Sequence, residues 1–113
     1  MKKMISIFCA LLLASTQAFA TPPSDIKIQF DPATKLLSAL VYHQVSDPEN
    51  HYVKTVVIRL NGKEVETLSF NKQDNNATQT VMATVPEAKK GDMLSVEAHC
   101  CLNGKLKKEI KVA

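Results

Sequence analysis

The sequence has little of what most enzyme sites and covalent staples are built from. Glycine occurs three times in 113 residues, so no glycine-rich loop is present to cradle a phosphate. No Ser/His/Asp grouping has the context of a nucleophile elbow. No segment of ten or more residues carries apolar side chains at a helical period, which argues against a helical fold. Basic residues gather only at Lys105, Lys107, Lys108 and Lys111, interrupted by Glu109. That spacing reads as the solvated edge of a strand and not as a face for nucleic acid. Cysteine is scarce and badly placed for a disulfide. Cys100 and Cys101 are neighbours, and consecutive Cα atoms lie ~3.8 Å apart, against ~4.4–6.8 Å in an ordinary disulfide.

One apolar run stands out, Ile5 to Leu13. It is shorter than the ~20 residues of a permanent membrane helix, and no second such run follows. Lys2 and Lys3 precede it, and Ala18-Phe19-Ala20 and then Thr21-Pro22-Pro23 follow. A basic start, a short apolar stretch and an A-x-A site are the parts of a secretory signal peptide. Residues 1–20 are therefore expected to be removed after Ala20, leaving one soluble domain, residues 21–113, in the periplasm or outside the cell. Cleavage takes away Lys2, Lys3 and Cys9 and lowers the formal net charge from +3 to +1. Two thiols kept in an oxidising compartment without a disulfide partner need a reason. Burial is one and metal binding is another.

The remaining chain reads as seven strands. Ile26, Ile28 and Phe30 alternate with polar residues. Leu36 to His43 is largely apolar, and Tyr52 to Leu60 is rich in valine and isoleucine. Glu64 to Phe70, Thr78 to Val85, Met93 to Cys101 and Leu106 to Val112 complete the set. Asn61-Gly62 and Asn103-Gly104 lie between alternating runs. Asn-Gly tolerates the positive φ of a two-residue type I′ turn, so both pairs predict tight hairpins. Short strands punctuated by turns predict an all-β fold, a seven-stranded antiparallel immunoglobulin-like β-sandwich.

Three histidines occur: His43, His51 and His99. His43 ends one predicted strand and His51 begins the next, while Cys100 ends another. Strand ends cluster at the ends of a sandwich, so these side chains can converge. A thiolate with two imidazoles is a soft-to-borderline ligand set, suited to iron, zinc or copper and not to magnesium or calcium. One reading is a metal site from His43, His51 and Cys100, with His99 and Cys101 as substitutes. The other makes His43 and His51 surface residues flanking a loop and Cys100 a small core residue beside Leu94, Val96 and Ala98.

Two stretches carry a family resemblance. His43-Gln44-Val45-Ser46-Asp47-Pro48-Glu49-Asn50-His51-Tyr52-Val53 resembles the iron-binding segment of superoxide reductases, or desulfoferrodoxins. Val96-Glu97-Ala98-His99-Cys100-Cys101-Leu102-Asn103-Gly104 resembles their C-terminal Tyr-Cys-Asn-x-His-Gly segment. The resemblance implies an immunoglobulin-like sandwich holding iron with four equatorial histidines and one axial cysteine, which reduces superoxide to peroxide. His43 and His51 match two equatorial ligands and Cys100 the axial one. Asn103 stands where the last histidine would be, and no histidine between Thr21 and Tyr42 matches the first. The loop from His43 to His51 is two residues longer than usual. The resemblance thus implies an iron site with a reduced ligand set, redox-active toward superoxide if the metal passes one electron.

A second likeness leads elsewhere. Arg59-Leu60-Asn61-Gly62-Lys63 and the Lys90-Gly91-Asp92 turn are similar to segments of the Z subunit of the sulfur-oxidation carrier complex. That likeness implies a metal-free, non-enzymatic binding module. It asks nothing of Cys100, and it predicts association through an exposed sheet edge, with a redox or carrier protein or a second copy of the chain.

Overall fold

A computed structural model describes residues 21–113; the expected signal segment, 1–20, lies outside the described residues. Seven strands are present: β1 Asp25–Asp31, β2 Leu36–Tyr42, β3 Val53–Leu60, β4 Lys63–Ser69, β5 Thr78–Thr84, β6 Met93–Cys100 and β7 Lys105–Lys111. Each lies within one or two residues of its expected position. All pair antiparallel. One sheet has the order β1-β2-β5 and the other β4-β3-β6-β7. The described residues contain no helix. This is the expected all-β sandwich with immunoglobulin-like strand order.

The strands form because every second residue is apolar and has somewhere to go. On β2, Leu37, Ala39 and Val41 face inward, and on β5 Val81 and Ala83 do. From the other sheet come Val56 and Ile58 of β3 and Leu94, Val96 and Ala98 of β6, and the two faces form one cluster. Among the described residues the fully buried apolar side chains of the core are all aliphatic, and each buried Leu, Ile or Val is worth ~1.5–3 kcal/mol relative to exposure.

Asn61 and Gly62 take φ of 51° and 85°, as the expected two-residue turn between β3 and β4 requires. The second Asn-Gly pair does not behave this way. β6 ends at Cys100 and β7 begins at Lys105, so residues 101–104 form a longer connection, closed by the Cys100 amide donating to the Gly104 carbonyl at 2.9 Å. Gly104 alone has positive φ, 91°, and the Asn103 carboxamide oxygen accepts from the Gly104 amide at 2.8 Å. The tight-hairpin expectation fails there because Asn103 is spent on a local side-chain bond and not on a left-handed backbone.

The register decides where the chemistry sits. Asp25 opens β1 opposite Tyr42, the end of β2, and Tyr42 lies opposite Thr78, the start of β5. In the other sheet Val53, the start of β3, lies opposite Cys100, the end of β6. One end of the sandwich therefore gathers the lead-in 21–24, the loop 43–52, the segment 70–77 and the connection 101–104.

Candidate metal site

His43 and His51 flank the loop between β2 and β3, which belong to different sheets and do not pair. They still meet, because both sheets end here. Their ring centroids are 4.8 Å apart and their planes nearly perpendicular, at 87°. The loop is folded back by Asp47. Its carbonyl accepts from the Asn50 and His51 amides at 3.1 and 2.8 Å, and its carboxylate accepts from the Glu49 amide and the Asn50 side chain at 3.1 and 2.6 Å. The Asn50 side-chain bond, followed by the Glu49 amide, holds the Asp47 carboxyl below its ordinary pKa.

The alternation of β6 delivers Cys100, and a β-bulge in β3 seats Val53 opposite it. Regular alternation back from Ile58 and Val56 would turn Lys54 inward. The register shifts between Val53 and Thr55, so Lys54 is the extra residue and stays exposed while Val53 is buried opposite Cys100. A bulge reverses the facing of everything before it. The Cys100 side chain lies on the inner face by the alternation of its own strand, in phase with Leu94, Val96 and Ala98, and is buried at the strand end with Sγ 3.2 Å from His51 Nε2.

His43 is 1% exposed, so although it flanks the loop it is no surface histidine, and the surface reading fails for it. Its ring is set by a residue that the sequence did not single out. Gln73 is buried, and its Nε2 donates to the carbonyls of His43 and Asn75 at 2.8 and 2.9 Å. Its Oε1 accepts from the Val53 amide at 3.2 Å and lies 2.9 Å from His43 Nδ1. The two donations fix which way the carboxamide points, so an oxygen faces Nδ1 and selects the tautomer with the proton there. Nε2 is then left with a lone pair.

That lone pair faces another. His43 Nε2 lies 2.9 Å from the Thr21 carbonyl oxygen, and Thr21 Oγ1 lies 3.3 Å from His51 Nε2. Two acceptors at such a distance need a cation between or beside them, a proton or a metal. Thr21 is the second residue at the site that sequence reasoning missed.

One donor atom each from His43, His51 and Cys100 lie within 4.8 Å of one another. Donors around a tetrahedral ion at ~2.0–2.3 Å stand ~3.3–3.6 Å apart. The 3.2 Å between His51 Nε2 and Cys100 Sγ is close to such an edge. Burial, then the neighbouring His43, lowers the pKa of His51, favouring the neutral imidazole that a metal requires.

The two substitutes do not join. His99 turns to the outer face, with Nε2 3.4 Å from a Glu97 carboxylate oxygen. Cys101 Sγ faces the loop, 3.4 Å from the Tyr52 amide nitrogen that donates to it and 3.7 Å from the Asn50 carbonyl. Alternation separates both from Cys100. Among the described residues, side chains thus offer two imidazoles and one thiolate, which fits a soft or borderline transition metal but does not build a plane of four nitrogens.

No family model and no curated protein matches the chain. Among solved structures it is similar to two chains of superoxide reductase (neelaredoxin) from Ignicoccus hospitalis, one of them a variant. Each is 17% identical over 80% of this chain and 82% of the other, with TM-scores of 0.47 for the variant and 0.48.

Proposed function

We propose that the chain is an exported metal-binding domain in which His43, His51 and Cys100 hold one transition-metal ion, with iron the metal favoured by the two superoxide-reductase-like stretches. The observation that carries this reading is the convergence of two imidazoles and a thiolate within 4.8 Å. The metal-free carrier reading asks nothing of Cys100 and leaves its 3.2 Å approach to His51 without a role. Iron would supply one-electron transfer between its ferrous and ferric states, and superoxide is the oxidant that the resemblance suggests. The protein's own contribution is positional. Gln73 fixes the His43 tautomer, the alternation of β6 turns Cys100 inward, and the Asp47 turn returns His51 to the same end. Each ligand is thereby oriented before the metal arrives, which raises affinity.

The test is metal content after purification without chelator, followed by anaerobic titration with Fe(II), Zn(II) and Cu(I). One equivalent is expected, lost in His51→Ala and, with the thiolate charge-transfer band, in Cys100→Ser. A folded protein that takes up none of the three ions would overturn the reading. If iron binds, oxidation by a superoxide flux, followed at the ferric thiolate band, tests the redox step.

A further inference from the structure

The lead-in to β1 is held against the site by several contacts that do not involve a metal. The Ser24 amide donates to the Tyr42 carbonyl at 2.8 Å, and Pro23 is buried. Pro22 sits so close to Gly104 that a Cβ there would meet the Pro22 Cβ at 2.7 Å. Thr21 follows from these anchors. Its carbonyl oxygen reaches His43 Nε2 at 2.9 Å and its Oγ1 reaches His51 Nε2 at 3.3 Å. No other described residue touches both imidazole Nε2 atoms through oxygen.

Thr21 is also the residue that follows the A-x-A motif. In the uncleaved chain its nitrogen is an amide, whose lone pair is delocalised into the peptide bond and makes a poor ligand. Cleavage after Ala20 turns it into a primary amine. That nitrogen is three bonds from the carbonyl oxygen and three bonds from Oγ1, so with either oxygen it closes a five-membered chelate ring on one ion. The next residue is proline, which brings no amide N–H to compete for those oxygens and narrows the conformations open to Thr21.

We infer that signal cleavage completes the metal site, the freed α-amino group of Thr21 serving with one of that residue's oxygens as a chelating ligand beside His43, His51 and Cys100. The inference rests on the metal-site reading above. It supplies a third nitrogen to a set that otherwise has only two, from a source that counting histidines does not find. It also ties loading to location: the precursor has the two imidazoles and the thiolate but not the amine, and the site reaches full affinity only after export. Binding releases the proton of the amine, whose ordinary pKa is ~7.7–8.0.

The experiment uses the full chain, exported with its own residues 1–20, beside a variant with Gly-Ser inserted between Ala20 and Thr21. Intact mass reports the N-terminus of each. Co(II) is the probe, titrated anaerobically against a competing chelator, with the thiolate charge-transfer band marking Cys100 and the ligand-field bands marking coordination number. Cleavage after Ala20 is expected, with the insertion weakening Co(II) binding more than about tenfold and changing the ligand-field bands, while the thiolate band persists. Thermal unfolding in chelator should be the same for both, which excludes a fold defect. Equal affinity and equal bands would overturn the role of the amine and leave the three-residue site standing, as would a mature chain that does not begin at Thr21. A protein of either form that shows no thiolate band would overturn both readings.

Discussion

Replacing Gln73 by alanine tests whether the site is organised before any metal binds. The side chain makes four hydrogen-bonding contacts, at 2.8 and 2.9 Å through Nε2 and at 3.2 and 2.9 Å through Oε1. Three of the partner groups are enclosed: the His43 carbonyl, the Val53 amide and the ring nitrogen of His43, a residue only 1% exposed. The Asn75 carbonyl lies nearer solvent and can be rehydrated. Leaving a buried polar group without a partner costs ~1–3 kcal/mol each, and water entering the space recovers part of it. The expected loss for Gln73→Ala is therefore about 2–5 kcal/mol, which lowers the melting temperature by roughly 10–30 °C for a domain of this size. It should be measured by far-ultraviolet circular dichroism in excess chelator, because bound metal would stabilise the folded form by mass action.

The same substitution frees the His43 tautomer, so metal affinity should fall about 10–100-fold, as when other groups that orient a ligand histidine are removed. Gln73→Glu separates length from hydrogen-bond sense. It keeps an acceptor for the Val53 amide and the His43 ring, but sets a carboxylate oxygen against the carbonyls of His43 and Asn75, so it should not rescue stability. A loss below about 1 kcal/mol for Gln73→Ala together with unchanged Co(II) affinity would refute the reasoning, since the carboxamide would then neither hold the loop nor orient the ligand.

Gly104→Ala should destabilise by about 1–3 kcal/mol, because the residue sits at φ 91° where side chains are strained. Since its Cβ would also press on Pro22 at 2.7 Å, amide exchange at Ser24, whose N–H bonds the Tyr42 carbonyl, should accelerate; unchanged exchange would show that the lead-in is held elsewhere. Glu97 lies on the outer face of β6 with Arg59 at 3.0 Å, His99 at 3.4 Å and Lys105 at 3.9 Å. Burial pushes its carboxyl up, but the hydrogen bonds and charges of Arg59 and His99 outweigh that and hold it below the usual glutamate pKa. A depressed carboxyl stabilises the fold above its unfolded pKa, and that contribution disappears as pH falls from the ordinary glutamate range through the folded value. Urea midpoints between neutral pH and pH 3 should therefore fall less steeply for Glu97→Gln than for the parent, and parallel curves would count against the pairing.

What the sequence made legible follows from period and turn chemistry. A strand pattern repeats every two residues, so the burial of Leu37, Ala39 and Val41, or of Leu94, Val96 and Ala98, was readable from the sequence. Asn61-Gly62 was readable because both residues take the left-handed backbone that their types favour. Asn103-Gly104 has the same letters, yet only its glycine does so; the dipeptide cannot say whether the asparagine will serve as backbone or as a side-chain acceptor. The three ligand candidates were readable as strand-end residues, since an antiparallel sandwich gathers alternate strand ends.

Gln73 and Thr21 were not, and the reason is the same for both. They lie in segments without periodicity, and their contacts to His43 span 30 and 22 positions, so no local rule links them to it. The bulge at Lys54 is an intermediate case. The sequence places a lysine where strict alternation from Ile58 and Val56 demands an inward side chain, and burying that ammonium unpaired would cost far more than one disrupted ladder position. A shift of register was therefore implied by Lys54 itself. The bulge acts on its own strand, turning Val53 inward opposite Cys100; which thiol of the Cys100-Cys101 pair meets the histidines is decided by the unbroken alternation of β6, in which Cys100 shares the inner face with Leu94, Val96 and Ala98.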